Sequence, residues 1–146
     1  ERLEVAEAIA RRAHSELPAD LMMRSSQVRQ LADAGMEVGA HTVSHPILRV
    51  LSDSEASAEI AGSRQVLEQI TGRPVRAFAY PNGRRDFDYT MRDRDLVAKL
   101  GFQLAVSTNG GVATPTSDVF ELPRFTPWDR SPERWLGRLL YAFGMA

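Results

Sequence analysis

Residues 39–48 read GAHTVSHPIL and hold two of the chain's three histidines, His41 and His45, four positions apart and closed by Pro46. Neutral imidazole is the commonest metal ligand, and H-x-x-x-H on a turn of helix points both rings the same way, so the pair is a workable two-point chelate. Two ordinary turn histidines would read identically. Thr42 and Ser44 could orient the rings, and Pro46 fixes the exit of the turn. The third histidine, His14, sits among alanines and arginines of an N-terminal helical pattern and reads as surface. With no cysteine in the chain, thiolate ligands and disulfides are excluded.

The elements that must position this pair form a repeated helix–glycine–strand unit. In SSQVRQLADAG, Ser25 or Ser26 can cap a helix whose Val28, Leu31 and Ala32 share a face, Gly35 stops it, and Met36 to Ala40 follows as a strand. In the second unit Ser52 and Glu55 make a capping box. Ala56, Ile60, Ser63, Leu67 and Ile70 form the inward stripe, Gly72 is the stop, and Val75 to Tyr80 is the strand. The third places Leu96, Val97 and Leu100 on a helix, with Gly101 as stop and Phe102 to Ser107 as strand. ELPRF at 121–125 reads as a fourth strand. Flanking helices are expected at about Leu3 to Ala13 and, behind Ser131 and Pro132, up to Phe143. Such alternation predicts an α/β fold of parallel strands with crossover helices, whose strand C-terminal ends share one ligand-binding rim. His41 and His45 follow the first strand, YPNG (80–83) the second and STNGG (107–111) the third.

The 146 residues suit a single domain, 43% hydrophobic and 25% charged. A net charge of −1 gives no reason to expect nucleic acid or an anionic membrane surface as partner. The arginines of Arg11–Arg12, Arg84–Arg85 and Arg92–Arg94 have acids close by and read as solvated surface. No apolar run reaches a membrane span, and no targeting signal points to a compartment. The chain opens ERLEV, without an initiator methionine and already in a helical pattern, which predicts a piece of something longer.

GAHTVSHP followed by RAFAYPNG resembles the polysaccharide deacetylases of carbohydrate esterase family 4, the NodB-homology domain. His41, Thr42, His45 and Pro46 match the fixed positions of its H-[ST]-x-x-H-P motif, and the likeness spans about residues 22 to 130. The resemblance implies part of a distorted (β/α)7 barrel lacking its N-terminal strands. It also implies a divalent metal, most often zinc, and a hydrolase removing N- or O-linked acetyl groups from a carbohydrate. His41 and His45 would be two of three protein ligands. The family's Asp-Asp motif, which supplies the base and the third ligand, has no counterpart in residues 1–40, where Asp20 and Asp33 stand alone. That predicts an N-terminally truncated domain, inactive by itself, with an open sheet edge covered by the rest of the polypeptide or by a homodimer. In FAYPNG, Ala79 replaces the family's arginine and Asn82 replaces the tyrosine whose main-chain N–H serves the oxyanion. A backbone donor survives that exchange, and Arg124 could supply the lost guanidinium or equally form a surface ion pair. No histidine follows His45 to act as general acid. Tyr80 and Pro81 at the strand end, with Trp128, are candidates for sugar contact, while Trp135 reads as core. Two other readings stay open: a non-catalytic carbohydrate-binding relative, and an unrelated metallohydrolase with Asp86 or Asp88 as local third ligand.

Overall fold

A computed structural model of the chain describes residues 2–14, 21–125, 128 and 130–144. Helices α1 (Arg2–Arg12), α2 (Ser25–Asp33), α3 (Asp53–Thr71), α4 (Met91–Lys99) and α5 (Pro132–Gly144) alternate with two short parallel strands, β1 (Ala77–Ala79) and β2 (Leu104–Val106). Ala77 pairs with Leu104, Phe78 with Ala105 and Ala79 with Val106. Single parallel bridges extend this ladder on both sides, Ala40 to Phe78 and Val106 to Leu122. Spatial order therefore follows chain order, with α3 and α4 as the crossovers, as the repeated unit requires.

The strands are shorter than the sequence pattern predicts, for local reasons. Over 36–40 only two bonds to the neighbouring strand form among the described residues, Ala40 N–H to the Ala77 carbonyl and Ala79 N–H to the Ala40 carbonyl, each at 2.9 Å. Gly39, next to this bridge, is a weak strand former. At the start of the second segment the Val75 N–H donates to Glu68 Oε1 at 2.9 Å instead of to a strand. In the expected ELPRF strand Ser107 N–H still reaches the Leu122 carbonyl at 2.9 Å, but Pro123 has no N–H with which to continue.

Helix α3 follows its sequence signals closely. Ser52 N–H donates to Glu55 Oε2 at 2.8 Å while Ser52 Oγ accepts from the Glu55 N–H at 3.3 Å. Gly72 ends the helix at φ 68°, a left-handed conformation that costs glycine little. Ala56, Ile60 and Ser63 are buried and Leu67 packs on the core, as the stripe predicts. The cap of α2 differs: Arg24 takes that position, and Gln27 Oε1 accepts its N–H at 2.7 Å. In α5 the N–H of Arg134 reaches Ser131 Oγ at 3.4 Å, consistent with the expected cap.

The core sits between the sheet and α3 and α4, around Phe78, Tyr80, Tyr89, Ile60, Leu48, Val75, Val97 and Phe102. Two arginines read as solvated surface turn inward instead. Arg92 donates to the Leu51 carbonyl at 2.6 Å, to the Leu48 carbonyl at 2.9 Å and to the buried Asp93 carboxylate. Arg94 grips Asp118 with two bonds of 2.9 Å, fork to fork. Trp135 also departs from expectation. No side chain of α5 is buried, and Trp135 remains 38% exposed, its ring edge-on to Phe125 at 6.3 Å.

Candidate metal and acyl-transfer site

Every segment that ends a parallel run contributes a loop to one rim, and hydrogen bonds lace these loops together. His41 follows Ala40 directly, and its Nδ1 lies 2.7 Å from the Ala79 carbonyl oxygen at the end of β1. A carbonyl only accepts, so Nδ1 carries a proton, and Nε2 is the nitrogen that can offer a lone pair to a metal. The His45 ring stands edge-on to it, centroids 4.8 Å apart and planes at 73°.

The turn joining them is not the helical turn inferred from the spacing. Thr42 at φ 64° and His45 at φ 58° are both left-handed. Thr42 Oγ1 accepts the His45 N–H at 3.1 Å and donates to the His41 carbonyl, so it shapes the backbone and leaves the rings alone. Ser44 does not touch the rings either; with Val43 it binds Glu59 of α3. Burial pushes the Glu59 carboxyl upward, but the hydrogen bonds from Ser44 and Val43 outweigh it and hold the group below the usual carboxylate range. The His41 ring is oriented by the Ala79 carbonyl, a backbone atom invisible in the motif.

The second loop is locked to the third. Gly83, at φ 80°, leaves room where a Cβ would lie 2.9 Å from the Thr108 nitrogen. Thr108 N–H donates to the Gly83 carbonyl at 2.8 Å, and its hydroxyl to the Asn82 carbonyl at 2.6 Å. Asn82 is exposed and left-handed at φ 56°, and among the described residues no acceptor takes its N–H. Arg124 reaches the same rim: its Nε donates to the Ser107 carbonyl, just past β2, at 2.7 Å. Among the described residues it forms no ion pair.

Two candidate sugar contacts are corrected. Tyr80 is fully buried, stacked on Tyr89 at 3.8 Å, with its hydroxyl donating to the Phe120 carbonyl at 2.9 Å. Its ring has no free face, and burial raises its hydroxyl pKa far above the ordinary value. Pro81 is buried too, as the hinge of the turn. Trp128 is 80% exposed and open to contact. His14 is exposed as expected, and Asp33 lies at the surface beside Arg73 at 3.3 Å. Asp20 lies outside the described residues. The local third-ligand reading fails: Arg84 holds the Asp88 carboxylate at 3.0 Å, and among the described residues no third His, Cys, Asp or Glu joins a pair into a cluster.

This geometry can be set beside known proteins. The sequence profile of the polysaccharide deacetylase family matches residues 8–105, about two thirds of the chain. The chain belongs to the polysaccharide deacetylase family. The match begins earlier than the motifs do and ends before Arg124 and Trp128. The deacetylase PplD of Streptococcus pyogenes, solved in complex with acetate, is 30% identical, with a TM-score of 0.69 over 79% of this chain and 50% of its own. BC0361, a polysaccharide deacetylase from Bacillus cereus, is 24% identical and shares the fold at a TM-score of 0.69, covering 84% of this chain and 38% of its own. The curated protein YxkH of Bacillus subtilis (strain 168) is 24% identical over 102 residues, 70% of this chain and 35% of its own. The chain thus spans half or less of the length of each. The mixed α/β fold with parallel strands is that of these deacetylases. Among the described residues, no helix is long and apolar enough to cross a membrane.

Proposed function

We propose that the protein is a metal-dependent hydrolase that removes N- or O-linked acetyl groups from a carbohydrate polymer or glycan, and that these residues carry two of its three metal ligands. The observation that supports this best is the bond from His41 Nδ1 to the Ala79 carbonyl at 2.7 Å. Metal-ligating histidines use such a bond to fix the tautomer and present the other nitrogen. The acetate bound to PplD is the product such a reaction releases.

The donor set fits the metal as a partial site. Two imidazoles suit zinc among the divalent ions, and the third protein ligand is read as a carboxylate outside residues 1–146. Zinc there would supply Lewis acidity at the scissile acetyl group. His41 and His45 would hold it. The free N–H of Asn82 donates to the oxyanion that develops on the acetyl carbonyl, and Arg124 adds positive charge at the same rim. Trp128 offers an exposed ring to a sugar face. The general base that takes the water proton is read as an aspartate from outside this chain. The parallel run is read as part of a distorted (β/α)7 barrel, a single N-terminally incomplete domain. The 36–40 edge would be covered by further polypeptide or by a second copy in a homodimer. No nucleic acid partner is proposed.

Acetate release from acetylated oligosaccharides by the zinc-loaded full-length protein tests this reading. His41→Ala should lower kcat by at least about 10³-fold, the scale of losing a principal electrostatic contribution. Turnover unchanged by His41→Ala would refute it. Ala79, in place of the family's arginine, favours a second reading, a carbohydrate-binding relative without activity. A full-length protein that binds zinc and acetylated glycan yet releases no acetate would select that one.

A further inference from the structure

The turn carrying both histidines holds two non-glycine residues in the left-handed region, Thr42 and His45. Each costs of order 1 kcal/mol or more and persists only where the surroundings over-determine it. Helix α3 supplies that constraint through one side chain. Glu59 Oε2 accepts the N–H groups of Val43 and Ser44, both at 2.8 Å, and its Oε1 accepts the Ser44 hydroxyl at 2.7 Å. These are charge-assisted bonds to the two residues midway between the ligands. One turn further along α3, Gly62 leaves the space that the Val43 side chain needs, since a Cβ there would lie 3.1 Å from Val43 Cγ2. The carboxylate and the gap sit three residues apart, on one face of the helix.

We propose that Glu59 is a positioning residue for the histidine pair. It clamps residues 43 and 44 against α3 and so sets the angle and separation at which His41 and His45 present their nitrogens. The proposal rests on the reading of the pair as metal ligands. It adds a residue that touches neither metal nor substrate and lies outside the motif.

The test uses the full-length protein and the variants Glu59→Gln, Glu59→Asp and Glu59→Ala. In the metal-free protein, amide exchange at Val43 and Ser44 and the imidazole 15N shifts of His41, His45 and His14 are measured; zinc affinity is then titrated calorimetrically. Exchange at 43 and 44 should speed up in Glu59→Gln and Glu59→Ala, with shifts moving for His41 and His45 and not for the distant His14. Zinc affinity should fall about 10- to 100-fold, the usual effect of removing an outer partner of a metal ligand. Glu59→Asp, which keeps the charge on a shorter arm, should recover part of it. Should Glu59→Ala fail to fold, Glu59→Gln, of equal size, decides. If the wild type binds no zinc, the metal reading falls, while the exchange rates and imidazole shifts still judge the clamp. Unaltered shifts and exchange in Glu59→Gln and Glu59→Ala would overturn it, as would wild-type zinc affinity in both.

Discussion

Between Ala40 and Ser107 the chain buries Phe78, Tyr80, Tyr89, Ile60 and Leu48, although Phe87 and Val50 stay exposed, whereas α5 carries Trp135, Leu136, Leu140, Tyr141 and Phe143 and buries none. Helix α1 is similar, with Val5 and Ile9 exposed and, among its described side chains, only Ala10 buried. The difference follows from connection. Helices α3 and α4 join parallel neighbours and must lie back on the sheet, so their apolar stripes find partners. The terminal helices join no such pair. Every residue of the candidate metal site belongs to, or hangs from, the packed region, where the loops are tied to strand ends by short hydrogen bonds. Chemistry that needs nitrogen atoms placed to a few tenths of an ångström sits where the backbone is held.

That contrast can be broken by mutation. The largest effect expected is for Phe78→Ala, which should cost about 3–5 kcal/mol by denaturant unfolding, since a fully buried aromatic leaves a cavity against Tyr80 and Phe102. Arg92→Ala should come close, at about 3 kcal/mol, because it takes the cation from the Asp93 carboxylate, which has no solvent exposure and keeps only the Thr90 N–H and hydroxyl as donors among the described residues. Ser52→Ala should cost about 1 kcal/mol, the usual value of a lost helix cap, seen as a lowered thermal midpoint. Acid should act more weakly. The Val75 N–H and Arg64 hold Glu68 below the usual carboxylate range, and Arg94 does the same for Asp118. Their contribution is complete above the unfolded-state pKa of about 4 and is lost as pH falls through the lower folded values; being partly exposed, each is screened. Trp135→Ala should change stability least, by no more than about 0.5 kcal/mol, despite removing a larger side chain than any of these. A loss near that of Phe78→Ala would mean that α5 is packed in solution.

Much of this was legible in the sequence. The capping box at Ser52 and Glu55, the stop at Gly72 and the stripe of α3 are local signals, and local geometry obeys them. The place of His41 just past the run that pairs with β1 followed from the repeat, although that run forms a single parallel bridge at Ala40 and no strand. What escaped was set by contacts distant in sequence. Glu59 and the Ala79 carbonyl hold the histidine turn across 15 and 38 residues respectively. The burial of Tyr80 leaves no sequence signal because the stack with Tyr89 that produces it is tertiary. Trp135 differs in the opposite sense: a periodic apolar stripe says which face wants burial, not whether a partner exists to bury it.

The central claim is that His41 and His45 are ligands of one metal ion. Crystals of the full-length protein soaked in zinc, with an anomalous map collected at the zinc edge, test it most directly. The account predicts one peak about 2.0–2.1 Å from a single nitrogen of each ring, with His41 Nδ1 still bonded to the Ala79 carbonyl. A peak elsewhere with this pair empty, or His41 bound to zinc through Nδ1, would contradict it.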